Sequence, residues 1–341
     1  MKRYRLPWPA LGFLIVFSIL LPAQEQNPSI TTSLPDDLGE ISRESPAWLL
    51  RNWGRQARLD RNLSDAFLLL TRALEKDPNN PETLTELALS YSASNDFHQA
   101  LEHLNKALEN RARLSSPDLE YTILYQLADI YLQNRSSQTY IIDYERILLE
   151  ITGRDEDFSS QENFQRNLRD SIQEVLLTPR PRGGTSLDRM VTLYRMGDSF
   201  SLRAHVLLGE FYVHSGRYNE AVDHLSFAVL KMYSLLIEKL REEDPLFAFE
   251  TSAELFEIVR RNPQWIQYLV ESEFDKALYY LGSAAYGISA SPAVYRGIWE
   301  TVLIVPFDSG YRSRSRAMLA EPGLEEILYG SQQFRDEVNA P

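Results

Sequence analysis

The chain has 341 residues, 44% of them hydrophobic and 24% charged, enough apolar material for one large or two ordinary cores. Lysine and arginine number 35 against 48 acids, a net charge of −13, which argues against non-specific nucleic-acid binding because phosphates are held by basic surfaces. The absence of cysteine excludes disulfides, thiolate catalysis, cysteine-ligated zinc and a lipid-modified cysteine anchor.

Lys2, Arg3 and Arg5 precede an apolar run over residues 10–21. That run is shorter than the ~20 residues of a membrane span, and Ala23 supplies a small residue before a cut. Residues 1–23 therefore have the outline of a secretory signal peptide. Leu21, large at the third position before the cut, leaves an uncleaved membrane anchor as the alternative. Cleavage removes three cations and no acid, taking the net charge from −13 to −16. An exported chain without disulfides points to a bacterial periplasm. Residues 24–44, polar and carrying Pro28 and Pro35, read as an exposed linker.

A helical period begins at residue 45. In a unit opening at Ala47, Leu50, Trp53, Gly54 and Ala57 are followed by Ala66, Leu70, Ala73 and Pro78. The same mask restarts at Pro81, with Leu84, Leu87, Ala88 and Tyr91, then Phe97, Ala100, Leu104 and Ala107. A weaker unit opens at Tyr121, 40 residues after Pro81, with Leu124, Leu127, Ala128 and Tyr131 on its first helix and the large Tyr140, Tyr144 and Ile147 on its second. Phe164, Leu168, Ile172 and Val175 mark a further amphipathic helix. Residues 178–200 open with two prolines and a glycine pair and are expected as a loop between an N-terminal array over 45–177 and a C-terminal region over 201–341.

The clearest unit opens at Leu202, with Leu208, Gly209, Tyr212, Gly216, Tyr218, Ala221, Leu225 and Ala228. Its period continues through Met232, Leu235, Leu236 and Leu240, so the second helix is long. Asp244 and Pro245 precede a helix expected to carry Phe249, Leu255 and Ile258. Asn262 and Pro263 open a short first helix. Its partner would carry Phe274, Ala277, Leu281 and Ala284 in the second-helix places of the mask. Residues 301–310 read either as a strand or as a helix end.

This mask resembles the tetratricopeptide repeat, a helix-turn-helix unit of 34 residues. The resemblance implies an all-α solenoid, here with degenerate repeats and helical insertions. Small residues at positions 8 and 20 would let the two helices of a unit approach, and stacking would bury the apolar face that one unit cannot bury alone. It also implies that positions 2, 5, 9, 12 and 13 of each first helix line a groove. In the first unit these are Trp48, Arg51, Arg55, Arg58 and Leu59; in the fourth they include Arg203, Glu210 and His214. Arg51, Arg55 and Arg58 share one helix face and can fork onto carboxylates, so an acidic peptide is a natural partner. The candidate partner-binding residues are thus Arg51, Arg55, Arg58, Arg203, Glu210 and His214. Family members that grip a terminal carboxylate use lysine, asparagine and arginine over three units, and Glu86 and Gln126 do not complete such a clamp.

The five histidines, His98, His103, His205, His214 and His224, form no zinc motif, and there is no nucleophile elbow, phosphate loop or dinucleotide fingerprint. No catalytic residue, cofactor or metal is expected. The reading is an exported scaffold holding a protein or peptide partner in the bacterial cell envelope, with no nucleic acid and with membrane contact only through an uncleaved anchor. Two other classes stay open. One is a periplasmic accessory component of a solute transporter, similar to the helical-repeat component of tripartite ATP-independent transporters, which is typically lipid-anchored. The other is an envelope hydrolase on a repeat platform.

Overall fold

A short turn with one left-handed residue joins the two helices of a unit, and that turn recurs along the chain. Arg61, Asn95, Gly216 and Ser289 have φ of 62°, 63°, 71° and 58°. They lie at the same place in units opening at Ala47, Pro81, Leu202 and Asp275. The computed structural model describes residues 44–159, 163–179, 184–194 and 199–329. The expected signal peptide, residues 24–43 of the expected linker and residues 330–341 lie outside the described residues. The described residues form one compact unit.

Among the described residues there are fifteen α-helices and no strand. Four consist of two stacked hairpins: α1 (Ala47–Leu59) against α2 (Leu63–Lys76), and α3 (Pro81–Ala93) against α4 (Phe97–Glu109). A third hairpin pairs α5 (Asp118–Gln133) with α6 (Gln138–Thr152). Then come α7 (Asn163–Leu177), α8 (Ser186–Leu193), α9 (Leu202–His214) and the 26-residue α10 (Tyr218–Glu243). The rest are α11 (Ser252–Val259), α12 (Pro263–Glu271), α13 (Phe274–Gly287), α14 (Pro292–Ile304) and α15 (Tyr311–Ala320). Side-chain caps set the starts of α2, α3 and α4. Asn62, Asn80 and Asp96 accept from the backbone N–H of Asp65, Thr83 and Gln99. Each such cap contributes about 1 kcal/mol. None of the described helices is long and apolar enough to cross a membrane.

The small residues at position 8 do what the pattern implies. A Cβ on Gly54 would sit 2.6 Å from Leu70 Cγ, and one on Gly209 would sit 2.2 Å from Leu225 Cγ. The leucine of the second helix therefore lies directly on the backbone of the first. Ala88, at the same place in the second unit, is fully buried, as are Leu104, Ala221 and Ala228.

Three expectations change. The stretch 178–200 is not all loop, because α8 lies inside it with Leu187, Met190 and Val191 fully buried. Thr185 and Asp188 form a reciprocal capping box directly after the glycine pair, and the apolar spacing finds cover on α10 and α14. Second, α13 is the first helix of a unit, not the second helix of one opened by α12. It pairs with α14, its turn carries Ser289, and Trp299 of α14 covers Gly282. Third, α11 starts at Ser252, which leaves Phe249 in the preceding loop, and residues 301–304 are helical.

The long α10 is the hub of the C-terminal half. It packs on α7, α8, α9 and α13, and Phe227, Tyr233 and Leu236 on it are fully buried. Gly287 at the end of α13 lets the Tyr218 ring of α10 lie against its backbone, which sets how closely successive units stack.

Candidate functional site

The first-helix face of α1 carries Arg51, Arg55 and Arg58 side by side, as their spacing predicts, but each meets a carboxylate of α3. Arg51 donates to Glu82. Arg58 donates from Nε (3.1 Å) and Nη2 (2.8 Å) to Glu86 Oε2, and Arg55 Nε lies 3.6 Å from Glu86 Oε1. Burial alone would raise the Glu82 carboxyl. Hydrogen bonds from Ser115 together with Arg51 outweigh burial and hold it below the usual carboxylate range. The basic stripe is thus matched internally. Arg55, 40% exposed, is the most open of the three. Trp48 and Leu59 flank it, both exposed.

The same pairing recurs further along. Arg203 on α9 donates to Asp129 on α5 at 3.1 Å and lies over the Tyr125 ring at 5.1 Å. Burial pushes the Asp129 carboxyl up, against the pull of Arg203. The Tyr125 hydroxyl donates to the Phe200 carbonyl (2.7 Å) and accepts from the Ala204 N–H (3.1 Å), which ties α5 to the start of α9. One unit on, Glu210 of α9 meets Lys276 of α13 at 2.8 Å. Burial would lower the Lys276 ammonium, but Glu210 and Glu273 outweigh it and raise it. In both places position 9 of one first helix pairs with position 2 of the next, so the candidate groove is laced by ion pairs between successive units.

At the last candidate residue the groove is occupied by the chain itself. After α15 the chain runs without helix or strand over residues 322–328. The Leu328 and Tyr329 N–H groups donate to the His214 carbonyl at 2.9 and 3.2 Å. His214 Nδ1 faces the Glu326 carbonyl at 2.8 Å, so Nδ1 carries the proton, while Nε2 faces the Tyr280 hydroxyl at 3.2 Å. That hydroxyl also lies 3.0 Å from Glu210, so its one proton goes either to Nε2 or to the carboxylate. Arg314 of α15 lies over the rings of Tyr279, Tyr280 and Tyr311 and donates to Glu325 at 3.0 Å. The Tyr279 hydroxyl donates to the same carboxylate. Tyr329 stacks on Phe211 with centroids 5.1 Å apart. Spacing along α9 identifies Glu210 and His214 but not their partners, which come from residues 66 to 112 positions away.

A second group of titratable side chains is closed to solvent. Asp155 accepts from Ser199 and Ser201 and lies 3.2 Å from Lys231, which also meets Asp157 at 3.0 Å. Asp155 Oδ2 lies 3.6 Å from His205 Nε2, and His205 Nδ1 faces His224 Nδ1 at 3.0 Å. Burial would raise the Asp155 carboxyl, but His205, Lys231 and Ser201 hold it far below its usual range. Phe158 closes the cluster, with its ring 4.6 Å from that of His205 and 4.5 Å from that of His224. Asp155, Lys231 and His205 are at most 2% exposed in their side chains, so no substrate reaches them. These residues bind α10 to the loop after α6. Among the described residues no group of three His, Asp or Glu is arranged to hold a metal ion.

Comparison with known proteins agrees with this geometry. Residues 57–118, running from α1 through α4 to the start of α5, match the tetratricopeptide repeat family model. An uncharacterized protein of Treponema pallidum (strain Nichols) is 25% identical over 176 residues, which cover 52% of this chain and 44% of that relative. The chain thus spans less than half the length of the relative it matches. Stacked helical hairpins, a second-helix leucine against the position-8 glycine, a left-handed turn and the match over residues 57–118 all fall in the same register, so the fold is an all-α solenoid similar to those of tetratricopeptide-repeat proteins.

Proposed function

We propose that the protein is a scaffold that holds a protein or peptide partner along its first-helix face, and that it works in the bacterial cell envelope. The observation that carries the reading is the face itself. First helices α1, α5 and α9 carry polar and aromatic side chains that stay partly exposed, Trp48 and Arg55 on α1, Asp129 on α5, and Arg203 and Glu210 on α9. The repeat family supplies the coarser part, because stacked units of this kind serve mainly to present a binding surface. The basic and apolar start of the chain supports export.

Site-specific photocrosslinking in the native cell tests both halves. A photoreactive residue at Arg55 or Thr85, on the first-helix face, is expected to trap a discrete protein. The same residue at Glu102, exposed on the outer helix α4, is expected to trap none. Equal trapping at all three positions, or none at any, contradicts the reading. Mass spectrometry of the same material is expected to find an N-terminus near Gln24, and an intact Met1 on membrane-bound protein instead identifies an anchor.

A further inference from the structure

We propose that the pocket between α9, α13 and α15 is a docking site for an acidic, non-helical segment with an aromatic residue four positions after a carboxylate, and that residues 321–329 hold it as a built-in competitor. The proposal deepens the scaffold reading and rests on it. It names the part of the groove, the chemistry of the partner and the segment that must move aside.

The recognition has three separable parts. The first is a carboxylate clamp. Glu325 receives Arg314 at 3.0 Å and the Tyr279 hydroxyl, and its side chain is only 9% exposed. Arg314, 40% exposed in its side chain, lies against three tyrosine rings, with centroids 4.4 to 5.5 Å away, which hold the guanidinium in place to receive the carboxylate. The second part reads main chain. The His214 carbonyl is among those that α9 leaves without a helical partner, and it accepts from two successive N–H groups of the segment. His214 Nδ1 donates back to the Glu326 carbonyl. These bonds require a turned backbone that brings two successive N–H groups onto one oxygen, but no particular side chain. The third part is an aromatic seat, Phe211, on which Tyr329 lies buried.

Around those anchors the segment is shallow. Leu324, Ile327 and Leu328 are 60%, 46% and 46% exposed, and no strand or helix forms around them. Such a segment is held by one carboxylate, one ring and a few main-chain bonds. A second segment with the same anchors can replace it without disturbing the core, because Arg314 and Phe211 are positioned by α15 and α9.

The test uses the full chain and the synthetic peptide Pro-Gly-Leu-Glu-Glu-Ile-Leu-Tyr-Gly, copied from residues 322–330 and labelled for fluorescence anisotropy. In a chain with Glu325→Ala and Tyr329→Ala the peptide is expected to bind, and about tenfold or more tighter than to the unaltered chain, where the resident segment competes. Adding Arg314→Ala, or using a peptide with glutamine in place of the first glutamate, is expected to weaken binding about tenfold or more. No binding to the altered chain, with its circular-dichroism melt intact, overturns the proposal. So does equal binding to altered and unaltered chains. Hydrogen exchange of the unaltered chain decides the matter even if the double variant does not fold. The Leu328 and Tyr329 amides are expected to exchange far faster than those of α10, and exchange as slow as that of α10 means that the segment does not leave and overturns the proposal. A chain that binds the peptide yet crosslinks to nothing in the cell fails the scaffold reading and leaves the pocket's chemistry standing.

Discussion

His205 and His224 meet in the core Nδ1 to Nδ1 at 3.0 Å, so one ring donates and the other accepts, and protonating the acceptor breaks the bond. Asp155 faces Nε2 of His205, which places that ring's proton on Nε2 and makes His224 the donor. Burial lowers both histidines below their ordinary 6.5; Asp155 pulls His205 partway back, and the His205, Arg169 and Arg217 charges push His224 further down. Below 6.5 the unfolded chain therefore takes up protons that the folded chain refuses, and this contribution to stability is lost as pH falls. Asp223, which burial pushes up to about 7 against the pull of Arg169 at 3.0 Å, titrates with the opposite sign. The measurement is therefore a difference between two chains. His224→Gln keeps a donor toward His205 and is expected to flatten the fall in stability from pH 6.5 to about 5 by up to ~1.4 kcal/mol per pH unit. Denaturant titrations of both chains across that range check it.

Gly209→Ala is expected to destabilise the fold even though alanine is the better helix former by about 1 kcal/mol. The new Cβ would lie 2.2 Å from Leu225 Cγ, and Leu225 is itself fully buried. Forcing the two helices apart costs roughly 1–3 kcal/mol, and Gly209→Leu costs more. A thermal melt of either variant that matches the unaltered chain contradicts the register.

The left-handed turn gives a prediction with opposite signs at equivalent places. Arg61 and Ser289 hold φ of 62° and 58°, and Gly216 holds 71°. A non-glycine residue there costs about 1–2 kcal/mol, part of which glycine gives back through its freer unfolded chain. Arg61→Gly and Ser289→Gly are expected to raise the melting temperature slightly, and Gly216→Ala to lower it. Calorimetry of the three variants checks the signs.

The glutamates of α3 set the charge of the first groove. With Glu82 and Glu86 in place, Arg51, Arg55 and Arg58 are matched. Glu82→Gln with Glu86→Gln is expected to free the stripe and to bind a polyglutamate probe about tenfold or more tighter than the unaltered chain at low salt. The gain is expected to vanish at about 500 mM salt, where the Debye length is only a few ångström. Arg51, Arg58 and both glutamates are 15–18% exposed in their side chains, so the fold is expected to lose about 1–3 kcal/mol. Isothermal calorimetry at both salt concentrations separates the two effects.

The repeat itself was legible because it is written in near neighbours. Gly54 with Leu70, and Gly209 with Leu225, lie within one unit, so a fixed spacing reports a packing contact. Caps at Asn62, Asn80 and Asp96 are more local still, each needing only the next three residues. Where two phases fit the same small-residue mask, as over α13, the pattern alone chose the wrong helix of the pair. Only the packing of Trp299 over Gly282 and of Tyr218 against Gly287 decided it.

Charge and occupancy belonged entirely to the tertiary structure. Spacing placed Arg51, Arg55 and Arg58 on one face but did not show that α3 brings Glu82 and Glu86 against them. Neither did it show that Asp129 meets Arg203 across 74 residues, or that Glu325 and Tyr329 return to the groove of α9 and α13. Helix periodicity fixes which way a side chain points on its own helix. The partner it meets depends on the angle and distance at which units stack. Those are set by buried contacts between residues far apart in the chain, which no local pattern records.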